Sequence, residues 1–183
     1  MVEMSIYGVS FDLVGKQPIV LLKTAEGNRY LPIWIGHSEA AAILMKLQGA
    51  TAPRPLTHDL LVNMLAELDV DIVRVTVTEL RENTFHASIT IAQNGAEVEI
   101  DSRSSDAIAI AVRAQAPIFA ADEVIEESAI EMEGDEVNEE EIVDEFKRFL
   151  DKVSAEDFVE AEVEGDVGDI EDPDAETDED EER

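Results

Sequence analysis

Cysteine is absent from the 183 residues, which excludes a disulfide framework, a thiolate zinc site and a cysteine nucleophile. Aromatic residues make up only 5% of the chain, with a single tryptophan, and no basic stripe is interleaved with them. No apolar run approaches the ~20 residues that a membrane-spanning helix needs. The opening Met1-Val2-Glu3-Met4-Ser5 lacks a basic segment leading into an apolar one, so a secretory leader is not expected and the expected location is cytoplasmic. A phosphate-cradling glycine loop, a nucleophile elbow and histidine-rich metal spacing are missing too. The histidines are His37, His58 and His86.

Basic residues are scarce, 13 Lys and Arg against 44 Asp and Glu, giving a formal net charge of −31. The imbalance is local. Residues 1–121 carry 14 acidic and 9 basic side chains, a net of −5, whereas residues 122–183 carry 30 and 4, a net of −26. Such a charge repels phosphate backbones over the Debye length. It argues against a basic, groove-tracking nucleic-acid binder, and leaves room for an enzyme that holds phosphate through metal ions. Salt adaptation accounts for the same bias.

What is present is enough apolar material for a core, 45% of residues, and a pattern that runs twice. Strands are expected at 5–11, 18–22 and 29–35, the last after a Gly27-Asn28 turn. A helix follows at 38–47 with Ser38 as its N-cap. Beyond Pro53-Arg54-Pro55, Thr57 is placed to cap a second helix, 58–68, whose Leu60, Leu61, Met64, Leu65 and Leu68 make the stripe of a half-buried helix. Then come strands at 71–77, 85–91 and 97–100, with turns at Glu82-Asn83 and Asn94-Gly95. A helix is expected at 105–113 and a short one at 122–125.

Shifting the chain by 67 residues lays Ser38-Glu39-Ala40 on Ser105-Asp106-Ala107. The pattern is thus a duplicated unit of three strands and two helices. The expected fold is α+β, an antiparallel sheet with helices packed on one face. It occupies residues 1–126, in halves 2–68 and 70–126. Residues 127–160 read as an acidic linker with an amphipathic helix, Asn138 to Val153, and 161–183 as a disordered acidic tail. That helix is expected either to pack on the domain's own core or to dock a partner.

Glu39 and Asp106 occupy matching places, each in the first turn of a helix just after a strand. Facing each other, two such carboxylates suit Mg²⁺ or Mn²⁺, with Asp101, Asp59 or His37 as further contributors. The plainer account is that first-turn carboxylates are stabilised by the helix dipole, by ~0.3–1 kcal/mol, with no ligand. Arg54 and Arg103 are candidates to fork onto a phosphate, or equally to pair with acids of their own chain. His58 beside Asp59 suggests a base with its orienter, yet neighbours in a helix point ~100° apart and do not meet; a solvated or capping His58 is the alternative. His86 shares a strand face with Ser88 and Thr90, expected to face solvent or another subunit.

Four segments, Arg29-Tyr30-Leu31-Pro32-Ile33-Trp34-Ile35-Gly36 with Glu39-Ala40, Arg54-Pro55-Leu56-Thr57-His58-Asp59-Leu60, Asp101-Ser102-Arg103-Ser104-Ser105-Asp106-Ala107-Ile108-Ala109, and Pro117-Ile118-Phe119, carry a resemblance. At these residues the chain resembles the bifunctional nuclease family. It covers roughly residues 2–126. Ser104 departs from it, standing where the family usually has proline. The resemblance implies a metal-dependent nuclease acting on DNA or RNA, with Mg²⁺ or Mn²⁺ as cofactor. Glu39, Asp106 and His58 are then the catalytic candidates, Glu39, Asp101 and Asp106 the metal ligands, and Arg54 and Arg103 the phosphate contacts. The competing expectation, favoured by the charge distribution, is a non-catalytic module. It would be a homo-oligomer, a dimer in the simplest case, docking a protein partner through residues 138–158 and the acidic tail.

Overall fold

A computed structural model of the chain describes residues 1–12 and 17–131. Strands β1 (Val2–Asp12), β2 (Gln17–Thr24) and β3 (Arg29–Trp34) lead into helices α1 (His37–Leu47) and α2 (Thr57–Glu67). A second run follows with β4 (Asp71–Arg81), β5 (Thr84–Gln93), β6 (Ala96–Arg103) and α3 (Ser104–Ala114). The described chain ends with β7 (Ile118–Ala120), α4 (Asp122–Ser128) and β8 (Ile130–Glu131).

All eight strands join one sheet in the order β6-β5-β4-β7-β1-β2-β3-β8. Every pairing is antiparallel except that of β4 with β7. With the helices packed on this sheet, the fold is α+β as the periodicity implied. The two hairpins of the second half turn on Glu82-Asn83 and Asn94-Gly95, whose φ angles are 50°, 59°, 52° and 80°. These are the left-handed pairs that match strand twist.

Three strands and an 11-residue helix occur in both runs. Thereafter the runs differ, because β7 stands between α3 and α4. This three-residue strand is the seam of the sheet: Val2 pairs with Ala120, and Val75 with Ile118. Three residues after Pro117 carry too little alternation to announce a strand. The sheet also extends past residue 126, since Ile130 pairs with Tyr30.

Alternation along β3 sends Leu31 and Ile33 into the core and leaves Trp34 exposed. Leu22, Ile43 and Ile108 are the other largest fully buried side chains, with α1 and α3 packed on each other above the strands.

Local expectations differ from the structure at four points. The N-cap of α1 is Gly36, not Ser38, so the helix starts at His37. The N-cap of α2 is Leu56, not Thr57; its N–H donates to Asp59 Oδ2 at 2.9 Å, which closes the first turn one residue earlier. None of the residues of α2 is buried. That helix packs mainly against α3, so only the side bearing His58, Asp59, Val62 and Leu65 is half-covered, and Leu60, Leu61, Met64 and Leu68 are exposed. Thr90, expected on an open face, is fully buried, with no hydrogen-bond partner for its Oγ1 among the described residues. The expected 138–153 helix, the 138–158 docking segment and the acidic tail lie outside the described residues.

Candidate active site

The motif segments converge at the start of α3. Strand β6 delivers Arg103, the first turn of α3 carries Asp106, the first turn of α1 carries Glu39, and the first turn of α2 carries His58. Arg103 is the hub. Its Nε donates to Asp106 Oδ2 at 2.7 Å and its Nη2 to Asp106 Oδ1 at 3.1 Å. The same Nη2 lies 3.0 Å from Glu39 Oε1. The equivalent carboxylates of the two runs therefore share one guanidinium.

His58 Nε2 lies 3.0 Å from Asp106 Oδ1. An ionised carboxylate only accepts, so Nε2 donates and a neutral ring keeps its lone pair on Nδ1. Burial disfavours ionisation of Asp106 and is the largest single influence on it. The hydrogen bonds and charges of Arg103 and His58 together outweigh burial and hold this carboxyl below its usual range. Asp106 in turn raises the Arg103 guanidinium, through its hydrogen bond first and its charge second. Glu39 and His58 side chains are 16% and 15% exposed, while Arg103 is 69% exposed. The cluster thus presents a solvent-exposed cation above two sheltered acids and a sheltered imidazole.

Two features hold this arrangement in place. A Cβ on Gly36 would collide with Glu39 Oε2, so glycine at the N-cap lets Glu39 fold back over the helix start. Asp59, one residue from His58, is committed elsewhere. Its Oδ2 accepts from Leu56 N–H, and its Oδ1 from Arg113 Nε at 2.6 Å. Arg113 also donates to the carbonyls of Ala109 and Ala42, so one buried guanidinium ties α1, α2 and α3 together. Sequence reasoning missed it. The available signal was a lone arginine closing the apolar run Ala107–Val112.

A cleft of about 330 Å³ opens on Glu39, His58, Arg103 and Asp106. Other candidates lie away from it. Arg54 lines a separate cleft with Lys46 and Arg113. Asp101 is exposed on β6, opposite Ser88. The His37 ring sits 6.2 Å from that of Phe11, and His86 lies beside Arg81. Asp59 is taken by Arg113.

Among the described residues no three of His, Cys, Asp and Glu are grouped to hold a metal. Glu39 and Asp106 still offer hard carboxylate oxygens converging on one positive group, a donor set that suits Mg²⁺ or Mn²⁺ completed by water and substrate oxygens. In the structure the positive group that both carboxylates contact is the Arg103 guanidinium.

The model of the bifunctional nuclease domain matches residues 20–133. The chain belongs to the bifunctional nuclease domain family. A Mycobacterium tuberculosis relative, Uncharacterized protein Rv1829, is 41% identical over 163 residues, covering 85% of this chain and 97% of that protein. The plant protein Bifunctional nuclease 1 of Oryza sativa subsp. japonica is 28% identical over 103 residues, which is 54% of this chain and 31% of the plant protein. The span matched by the domain model, residues 20–133, includes all four residues of the Glu39, His58, Arg103 and Asp106 cluster. Among the described residues, no helix is long and apolar enough to cross a membrane.

Proposed function

We propose that the chain is a nuclease hydrolysing phosphodiester bonds of DNA or RNA in the cleft at the start of α3. The observation that carries this reading is the shared contact of His58 and Arg103 with Asp106. In this reading His58 is a proton acceptor and Arg103 a phosphate-binding cation held on one carboxylate, and membership of the bifunctional nuclease domain family supports it.

In this reading Arg103 releases part of its hold on Glu39 and forks onto a non-bridging phosphate oxygen pair. A water attacks phosphorus while His58 Nδ1 takes its proton, and the phosphorus–oxygen bond to the leaving group breaks. The imidazolium then returns the proton to the departing oxygen. Asp106 orients the ring and stabilises its charged form, as a carboxylate does for a catalytic histidine. Glu39 with Asp106 would hold Mg²⁺ or Mn²⁺, which supplies Lewis-acid stabilisation of the phosphate charge.

The test is cleavage of a labelled oligonucleotide by highly purified protein, with Mg²⁺ or Mn²⁺ against chelator, beside His58→Gln, Glu39→Ala and Asp106→Ala. Cleavage that needs metal and vanishes in folded variants is the expected result. Cleavage that persists in all three variants, or none by the wild type, overturns the reading.

We further propose that a second copy of the chain seats on α2. Copies with a net charge of −31 repel one another, so they meet best through an uncharged face. The stretch Leu60–Ala66 carries no charge, and Leu60, Leu61, Met64 and Leu68 lie open in one stripe. An isologous contact buries that stripe on both copies at once. Light scattering should give a dimer for wild type and a monomer for Leu60→Lys/Met64→Lys; a monomeric wild type overturns the dimer. Docking of a protein through residues 138–158 is tested separately, by loss of a captured partner on truncation near residue 135.

A further inference from the structure

A second cleft, about 340 Å³, lies beside the first where the end of β3 meets the β4–β5 turn and the start of α3. Arg103 lines both clefts. One wall of the second carries Trp34, 51% exposed although its neighbours in β3 are largely buried. Phe85 and the first residues of α3 line the same cleft.

The helix start carries unused donors. Arg103 is the N-cap of α3 and makes no side-chain capping bond, so the first-turn N–H groups lack intrahelical partners. Ser104 and Ser105 line the cleft and are only 7% and 6% exposed. Neither hydroxyl has a hydrogen bond among the described residues. Sheltered hydroxyls, free N–H groups and the positive end of an 11-residue helix together make an anion-accepting corner.

An exposed aromatic ring and an anion-accepting corner lining one cleft fit one chemical class. We propose that this second cleft is a nucleotide subsite, in which an unpaired base stacks on Trp34 and its phosphate is held by Ser104, Ser105 and the start of α3. The subsite rests on the nuclease reading for its role, since Arg103 joins it to the cluster of Glu39, His58 and Asp106. A base inside a duplex has both faces covered by its neighbours, so a stacking wall selects single-stranded segments. The chain has only 13 basic residues, so stacking supplies affinity that charge does not.

Trp34 is the sole tryptophan, so fluorescence excited selectively at tryptophan, beyond the absorption of the two tyrosines, reports on this residue alone. The experiment titrates full-length protein, in chelator, with octathymidylate, with an abasic octamer of equal charge and with inorganic phosphate. Saturable quenching by octathymidylate, absent with the abasic octamer and phosphate, is the expected result. Trp34→Leu should weaken binding of fluorescein-labelled octathymidylate roughly 10-fold, the scale of one lost stack, with an unchanged circular dichroism spectrum. Ser104→Ala/Ser105→Ala should weaken it while leaving the quench per bound molecule unaltered. Equal quenching by the abasic octamer, or unchanged affinity of Trp34→Leu, overturns the subsite. Because cleavage is not measured here, the two readings fail separately. Base-dependent quenching without metal-supported cleavage removes the nuclease and leaves the subsite; cleavage without quenching does the reverse.

Discussion

Arg113 Nε donates to Asp59 Oδ1 across 2.6 Å, and this pair sets the roll of α2 against α3. Neighbouring side chains on a helix diverge by ~100°. With Asp59 drawn to Arg113, His58 is turned toward Asp106, which lies two turns earlier on nearly the same face of α3. The Arg113 side chain is only 4% exposed. Arg113→Met fills similar volume but leaves Asp59 and the Ala42 carbonyl without their donor. The expected loss is ~2–4 kcal/mol in urea denaturation, within the range for removing one partner of a sheltered pair. Cleavage should fall further than unfolding explains, because His58 loses its aim. A variant with unchanged urea midpoint shows that α2 is held by its apolar contacts alone.

Acid should weaken the fold through the same pair and its neighbour. Burial pushes the Asp59 carboxyl up and is the largest single influence, but the Leu56 N–H and Arg113 together hold it below its ordinary 3.8. Asp106 is likewise held low. A carboxyl depressed in the folded state binds its proton more readily when unfolded. Its contribution is therefore complete above about pH 4 and is lost as pH falls through the folded-state value. Urea midpoints measured from pH 6 to pH 2.5 should decline below about pH 4. Asp59→Asn should start lower at pH 6 and decline less steeply. Parallel curves for the two proteins remove Asp59 from this role.

How much of this was legible in the chain is best seen at particular residues. Alternation and turn chemistry placed the strands on either side of Asn94-Gly95, because a left-handed two-residue turn is a local property. Equivalence of Glu39 and Asp106 followed from the repeat, and the structure gives both to Arg103, the own-chain pairing that had stood as the alternative to a phosphate contact. His58–Asp106 was not legible: the two are 48 positions apart, and only the packing of α2 on α3 joins them. The exposure of α2 was hidden for a related reason. An apolar stripe reports that a face prefers cover, not whether this chain provides it. Trp34 looked like part of a strand motif until the strand end was seen to open on the α3 start.

Gly36→Ala isolates the position of Glu39. The Gly36 φ of −71° is open to any residue, so backbone strain is not at issue. An added Cβ would meet the Glu39 carboxylate, the free end of a flexible side chain. The fold should therefore survive with a melting temperature within a few degrees of wild type, while Glu39 is pushed off Arg103. Activity should drop as far as in Glu39→Gln. A fully active Gly36→Ala protein with the wild-type melting temperature means that the position of Glu39 does not matter to cleavage.

Arg103 divides its charge between two carboxylates that are themselves the proposed metal ligands, so its removal should act in opposite directions on metal and substrate. In Arg103→Met, Glu39 and Asp106 face each other without a counter-ion, which raises their demand for a cation. Binding of Mn²⁺, followed by the loss of its free electron-paramagnetic signal, should tighten severalfold relative to wild type. Binding of octathymidylate should weaken, since the one cation that lines both clefts among the described residues is gone. Arg103→Lys should fall between the two, keeping the charge but not the fork. Glu39→Gln and Asp106→Asn should lose Mn²⁺ binding instead. If Arg103→Met leaves Mn²⁺ affinity unchanged, the ion does not occupy the place of the guanidinium, and the metal ligands must be sought away from the Glu39–Asp106 pair.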